Sequence, residues 1–416
     1  MKKTKAIEHS GQRRKGILIT VTIFATFLIY GFYENMKGPA LPRIQADFGI
    51  SEFQLGLLLA VNSLGYLIAC SYTTALAKKI SIKVCLIISL IVIAISGIFI
   101  CFSPSYILLV ISFLILHLGN GMLEISQGVI AATTFTKNTG TMMNIAHFFY
   151  GAGSIFSPVI STGLMMARFG ESILGWRYVY LIVLSWAIIP IIPALIWRPG
   201  KQGSSNVKAK FTAILKKPTL WLTVLILAFG SVCEVGVMAW LVNFLEKAYS
   251  YTGEQAALRL TLFFVCFTLT RLIFGPLIDR IGLINSLVIA TAFAGVMTVL
   301  GVLIGEPGVV LLIIAGVGVA PLYPTVMAVI AKLFSEEIDH AMTAIMTIMG
   351  VFFVAANLLV GGIIQLARSI FVDIHGDEGV GMAYAAGYLF LGVCCFVATL
   401  FAIILRSRQK KAGNLV

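Results

Sequence analysis

ILLVISFLILHLGNGMLEISQGVIAA, residues Ile107 to Ala132, is long enough to cross a lipid bilayer as one helix and holds a single charged side chain, Glu124. An ionised acid at mid-membrane costs roughly 3 kcal/mol on insertion scales, so such a residue faces away from lipid and handles ions, protons or substrate. His117, Asn120, Glu124 and Gln127 fall at i, i+3, i+7 and i+10, which on a helix makes one polar stripe. Fold and chemistry therefore meet in this stretch.

The rest of the chain repeats the apolar pattern. Its 416 residues are 59% apolar and 11% charged, with mean hydropathy +1.00; soluble domains carry about a quarter charged residues. Twelve runs of membrane-spanning length, from Ile17–Ile44 to Ala383–Ile404, predict an all-α membrane protein. The net charge of +13 does not point to nucleic acid, because Lys and Arg collect at the two ends and in alternate connections. That distribution places both termini in the cytoplasm, with membrane lipid headgroups as the partners of the basic tails. No small-residue cleavage site follows the basic start, so Met1 to Thr20 is not expected to be a signal peptide. The seven cysteines lie in or beside apolar runs and are read as packing residues, with no metal site.

The longest polar interruption, RPGKQGSSNVKAKFTAILKK at 198–217, has the composition of a cytoplasmic linker. It divides the chain into a tail (1–16), a six-helix bundle (17–197), a second bundle (218–405) and a final tail (406–416). The two bundles read as a duplication. FGISEFQLGLL from Phe48 resembles YSYTGEQAALRL from Tyr249, and each carries a capping box, Ser51 with Gln54 and Thr252 with Gln255. Glu34 and Glu234 fall at matching places in the first helix of each half. Two parallel repeats of six helices are one architecture of secondary transporters. The equivalent of the Glu124 run, VVLLIIAGVGVAPLYPTVMAVIAKL, carries no carboxylate, which assigns the titrating chemistry to the first half.

Gly275-Pro-Leu-Ile-Asp279-Arg280-Ile-Gly282 matches the G-x-L-x-D-R-x-G signature of the major facilitator superfamily. Within it, ALPRIQADFGISEFQLGLL, AKKISIK, GNGMLE and MNIAHFFYGAGSIFSPV resemble the fucose permease branch of sugar:proton symporters, and the likeness spans nearly the whole chain. The resemblance implies proton coupling through the glutamate of the Gly-x-Leu-Glu pattern, where Glu124 stands. It also implies an aspartate on the first helix shortly before the Leu-Pro pair. Here that position is Gly38, and the nearest acid is Glu34, one turn earlier.

The expected function is uptake of a hexose-like sugar with a proton by alternating access, with Glu124 and Glu34 as coupling residues and sodium as the other candidate ion. Sugars need bidentate polar groups for their hydroxyls and an aromatic surface for their C–H face. Tyr33, Asn120, Gln127, Asn144, His147, Glu234, Trp240, Tyr323 and Asn357 are the expected substrate-binding set. Glu34 also shares a helix face with Lys37, so mutual neutralisation is the structural alternative for that acid. Asp279 and Arg280 are read as a cytoplasmic gate, and Arg271 as a partner for helix ends or an acid. A drug:proton antiporter on the same fold is the rival reading. An enzyme is not expected, since no HExxH motif accompanies the intramembrane His and Glu residues. No P-loop lysine follows the glycines at 119, 121, 316 and 318, so no cofactor is expected, and a monomer suffices for the mechanism.

Overall fold

The computed structural model describes residues 2–135, 139–170, 172–196, 214–334 and 338–411. Among these, twelve helices are long and apolar enough to cross a membrane. In the first half they are α1 (Ile17–Phe48), α2 (Glu52–Ile80), α3 (Ile82–Cys101), α4 (Tyr106–Ala131), α5 (Ile145–Met166) and α6 (Gly175–Ile196). In the second half they are α7 (Pro218–Tyr249), α8 (Gly253–Ile273), α9 (Leu283–Leu303), α10 (Glu306–Leu333), α11 (Ala344–His375) and α12 (Glu378–Lys411). The all-α reading with twelve spans holds. Several helices outrun the apolar windows because backbone hydrogen bonding continues through polar residues until a cap ends it. Residues 198–213 of the expected linker lie outside the described residues.

The helix starts are chemically specified. Ser51 Oγ accepts from the Gln54 amide while Gln54 Oε1 accepts from the Ser51 amide. Thr252 and Gln255 do the same at α8, so both expected capping boxes form. Pro218 takes the first turn of α7, where its missing N–H costs nothing. Two spans are broken by proline. Helix α1 turns at Met36, where Pro39 withholds the amide proton that the Asn35 carbonyl would accept. Ser157 of α5 donates to the Phe32 carbonyl (2.5 Å) near that break. Helix α10 breaks between Val319 and Leu322 at Pro321. A two-residue hairpin, Arg168–Phe169 against Ser172–Ile173, joins α5 to α6 and has no signal in the apolar pattern.

The chain forms two compact units. One comprises residues up to Met36 and those from Val61 into the linker; the other comprises Lys37–Ala60 and everything beyond the linker. The second half of α1 and the first turns of α2 thus pack with the C-terminal helices, a division finer than six and six. Arg43 of α1 pairs with Glu246 of α7 (2.5 Å), and Glu52 of α2 with Arg368 of α11 (2.5 Å). Gln45 Nε2 also donates to Glu52 (3.1 Å). A Cβ at Gly56 would lie 2.7 Å from the Asn357 carbonyl and 3.0 Å from the Gly361 Cα, so α2 and α11 meet backbone to backbone.

Lipid tails are as apolar as leucine, so close packing rather than water exclusion holds such helices together. In the first unit Gly31 of α1 and Gly153 of α5 supply that approach: a Cβ at Gly31 would fall on the Tyr150 carbonyl. In the second unit Trp240, Phe244, Phe263, Phe264, Tyr384 and Tyr388 form a fully buried aromatic core. The outward faces carry Ile107, Leu303 and Ile374, each at least 66% exposed, as a lipid-facing surface requires.

Candidate functional site

In the first unit, α1 and α4 bring the polar stripe together with a matching row of α1 side chains. The Tyr30 hydroxyl donates to Glu124 Oε2 (3.0 Å). One turn along, the Tyr33 hydroxyl donates to Asn120 Oδ1 (2.8 Å), and Asn120 Nδ2 donates to Glu34 Oε2 (3.0 Å). Spacings of three and four residues on both helices set this ladder of contacts. His117, one turn further along α4, places Nε2 3.7 Å from the same Glu34 oxygen, while its Nδ1 lies 2.9 Å from the Phe113 carbonyl. Glu34 and Glu124 are both half-buried, whereas Tyr33, Asn120 and Gln127 are buried. Among the described residues Gln127 Oε1 has no hydrogen-bond partner, which leaves an acceptor for water or a bound molecule.

Three residues not singled out in the sequence, Tyr66, Asn35 and Tyr150, complete this arrangement together with Ser154, which stands at helical spacing from Asn144 and His147. Tyr66 of α2 also hydrogen-bonds Glu124. Asn35 Nδ2 donates to the Gly31 carbonyl (2.8 Å) and to Ser154 Oγ (2.9 Å), with the Tyr150 hydroxyl at 3.4 Å, fixing α1 against α5. An aromatic or amide on an apolar helix reads as packing until its partner is known. His147 presents an exposed ring edge-on to Phe27 at 5.3 Å. The side chain of Asn144 lies outside the described residues.

In the second unit the chemistry differs. In an unbroken helix the Ala320 carbonyl would accept from the amide of residue 324, but that residue is Pro324. Arg271 Nε donates to this carbonyl (3.0 Å), and its guanidinium lies over the Phe267 ring at 4.1 Å. Its other nitrogen is 3.9 Å from Glu234 Oε1. Both alternatives read for Arg271, a helix carbonyl and an acid, are thus present together. Tyr323 is half-buried on the second piece of α10. Trp240 is fully enclosed against Tyr384 (ring centroids 6.3 Å apart), so its face packs in the interior; its indole N–H has no partner among the described residues. Asn357 is buried and donates to the Phe353 carbonyl of its own helix (2.9 Å). Arg280 is exposed, and the side chain of Asp279 lies outside the described residues.

The first unit offers carboxylates in a hydrogen-bonded row, the second a guanidinium beside a broken helix. The L-fucose-proton symporter of Escherichia coli (strain K12) is 22% identical over 455 residues, covering 98% of this chain and 97% of that protein. The crystal structure of a bacterial homolog to the human lysosomal transporter Spinster, inward-facing and unoccupied, matches with a TM-score of 0.75 at 15% identity, covering 95% of this chain and 98% of that one. That of a D-xylose-proton symporter matches with a TM-score of 0.73 at 16% identity, covering 93% and 97%. A family model for the Major Facilitator Superfamily matches residues 23–258 and 236–415. Taken with twelve spans and intramembrane acids, this establishes that the chain belongs to the Major Facilitator Superfamily, as a multi-pass membrane transporter and not an enzyme.

Proposed function

We propose that this transporter couples uptake of a hexose-like sugar to entry of a proton, with Glu124 as the coupling acid. The observation that carries the reading is the Tyr30–Glu124 contact within the α1–α4 ladder. A half-buried carboxylate with few hydrogen-bond donors is suited to gain and lose a proton as its surroundings change between dry and wet. The neighbouring Tyr33, Asn120, Glu34 and Gln127 offer the alternating donors and acceptors that sugar hydroxyls require. The relatives named for fucose and xylose with protons support the same substrate class. In this reading transport proceeds by alternating access, Glu234, Tyr323 and Arg271 are polar groups that the second unit contributes, and Asp279 with Arg280 act as a cytoplasmic gate. The protein resides in the cell's inner or plasma membrane with both termini in the cytoplasm.

The test is uptake of a radiolabelled hexose panel into proteoliposomes under an imposed inward proton gradient, repeated with a sodium gradient, for wild type and Glu124→Gln. Proton-driven accumulation of one sugar, abolished in the variant, is expected. Accumulation that survives in Glu124→Gln removes the acid from coupling; no accumulation of any sugar removes the substrate class and turns the search to cationic amphiphiles exchanged for protons.

A further inference from the structure

We propose that Glu34 and His117 form a second proton-holding pair, an ion-pair contact across 3.7 Å that binds one proton on one or the other side chain. The inference deepens the proposed proton coupling and rests on it for its role in transport, but the pairing itself stands on geometry. His117 Nδ1 lies 2.9 Å from the Phe113 carbonyl. A carbonyl oxygen only accepts, so Nδ1 carries hydrogen, and the tautomer is set. The opposite nitrogen, Nε2, then bears a lone pair in the neutral ring, and it faces Glu34 Oε2 at 3.7 Å. With no proton between them a lone pair would oppose a carboxylate in an interior where the histidine side chain is 8% exposed and the glutamate 17%. One proton removes that conflict in either of two forms: imidazolium beside carboxylate, or a carboxylic acid directed at the ring nitrogen. Whichever of the two groups carries the proton, the Nδ1–H bond to Phe113 is untouched and the total charge of the pair is the same.

The pair's surroundings make it a station in a row. Asn120 Nδ2 donates to the same Glu34 oxygen and accepts from Tyr33. Tyr30, one turn before Glu34 on α1, donates to Glu124. The titratable groups facing the pair are Tyr30 and Tyr33 on α1, Glu124 on α4, Tyr66 on α2 behind Gly65, Tyr150 on α5 and Tyr180 on α6; Lys37 follows Glu34 by three residues. Two proton sites thus lie along one stretch of α4, two turns apart, with tyrosine hydroxyls and one amide beside them. Glu124 and the Glu34–His117 pair each hold a proton, and His117 is a coupling residue in its own right.

The test is infrared spectroscopy of the full-length protein in lipid, following the carboxyl C=O bands with pH in wild type, Glu34→Gln, Glu124→Gln and His117→Gln. The band lost in Glu34→Gln is the Glu34 band. Its midpoint is expected to move by at least one pH unit, a tenfold change in proton affinity, in His117→Gln. A smaller shift is expected for the Glu124 band. Should His117→Gln fail to fold, ring-nitrogen NMR of His117 in wild type and Glu34→Gln reads the same coupling from the other side, with a shift of at least one unit expected. An unmoved Glu34 midpoint, or an unmoved His117 titration in Glu34→Gln, overturns the pair. Because neither readout contains a sugar, failure of the hexose panel refutes the substrate reading and leaves this result standing.

Discussion

Replacing Arg368 with methionine will destabilise the protein more than replacing Glu52 with glutamine, although each removes one half of the same 2.5 Å ion pair. The asymmetry follows from burial: the Glu52 side chain is 1% exposed and the Arg368 side chain 42%. In Glu52→Gln the guanidinium left behind reaches water, and the amide oxygen still accepts from Arg368 and Gln45. Because the charge left behind is solvated, the loss is close to that of a surface pair, about 0.2–1 kcal/mol, plus the interaction of a first-turn acid with the start of α2, about 0.3–1 kcal/mol. In Arg368→Met the carboxylate stays buried with Gln45 as its recorded donor. Leaving one charge of a buried pair behind costs about 3–5 kcal/mol, and the Gln45 bond and helix terminus bring this to the lower end. The two variants should differ by about 2 kcal/mol, close to thirtyfold in the folding equilibrium. The assay is unfolding of the purified protein in mixed micelles titrated with SDS, followed by tryptophan fluorescence. Equal destabilisation, or a larger loss in Glu52→Gln, would refute the argument that the buried partner sets the cost.

Arg271→Lys should lose about 1.5–3 kcal/mol, the range for a hydrogen bond from a charged donor, because a lysine ammonium lacks the planar guanidinium that spans Ala320, Glu234 and the Phe267 face. Adding Pro324→Ala restores an amide for the Ala320 carbonyl and should recover part of that loss, read as a favourable coupling energy in the same unfolding assay. Gly31→Ala places a methyl on the Tyr150 carbonyl and should cost about 1–3 kcal/mol. Gly163→Ala, with nothing within 4 Å of its added Cβ, should be neutral or stabilising by up to about 1 kcal/mol. Equal yields and unfolding midpoints for the two glycine variants would show that α1 and α5 do not need that approach.

The spans were legible because membrane thickness imposes a length that apolar runs either reach or do not. The capping boxes at Ser51 and Thr252 were legible because they are local, with both partners within four residues. On one helix, periodicity also aligned His117, Asn120, Glu124 and Gln127, and the structure keeps them on the face toward α1. Periodicity carries no record of what stands opposite. That Tyr30 meets Glu124 across 94 residues, or Glu52 meets Arg368 across 316, depends on how helices rotate and cross. For the same reason Trp240, which composition offers as a sugar platform, is enclosed against Tyr384 instead. The division at Met36 also escaped the pattern. The prolines that break α1 are visible, but not which neighbours each piece joins.

The broken helix α10 explains why the two halves, built on one plan, carry different chemistry. In the first half the helix that contains α4 runs unbroken over Tyr106–Thr134 with Ser105 as its cap, and its interior backbone groups are satisfied internally. Any polar function there must come from side chains, and the chain supplies acids, an amide and an imidazole along one face. In the second half Pro321 and Pro324 remove two amide donors from α10, so polarity arises from the backbone itself at Ala320. A bare carbonyl inside a membrane protein needs a donor, and Arg271 meets it at a depth where arginine is otherwise costly. The arginine in turn requires a counter-charge, which Glu234 provides from α7. One acid in that half is therefore bound up with a fixed cation and a broken helix, and replacing it perturbs α10 as well as the charge. Glu124 instead accepts from the Tyr30 hydroxyl, an uncharged donor. A proton arriving at Glu124 changes the net charge of its site, whereas a proton arriving at Glu234 must first break a structural pair. In the proposed reading, that difference, rather than the bare presence of a carboxylate, is why the coupling proton is expected on Glu124 rather than on Glu234.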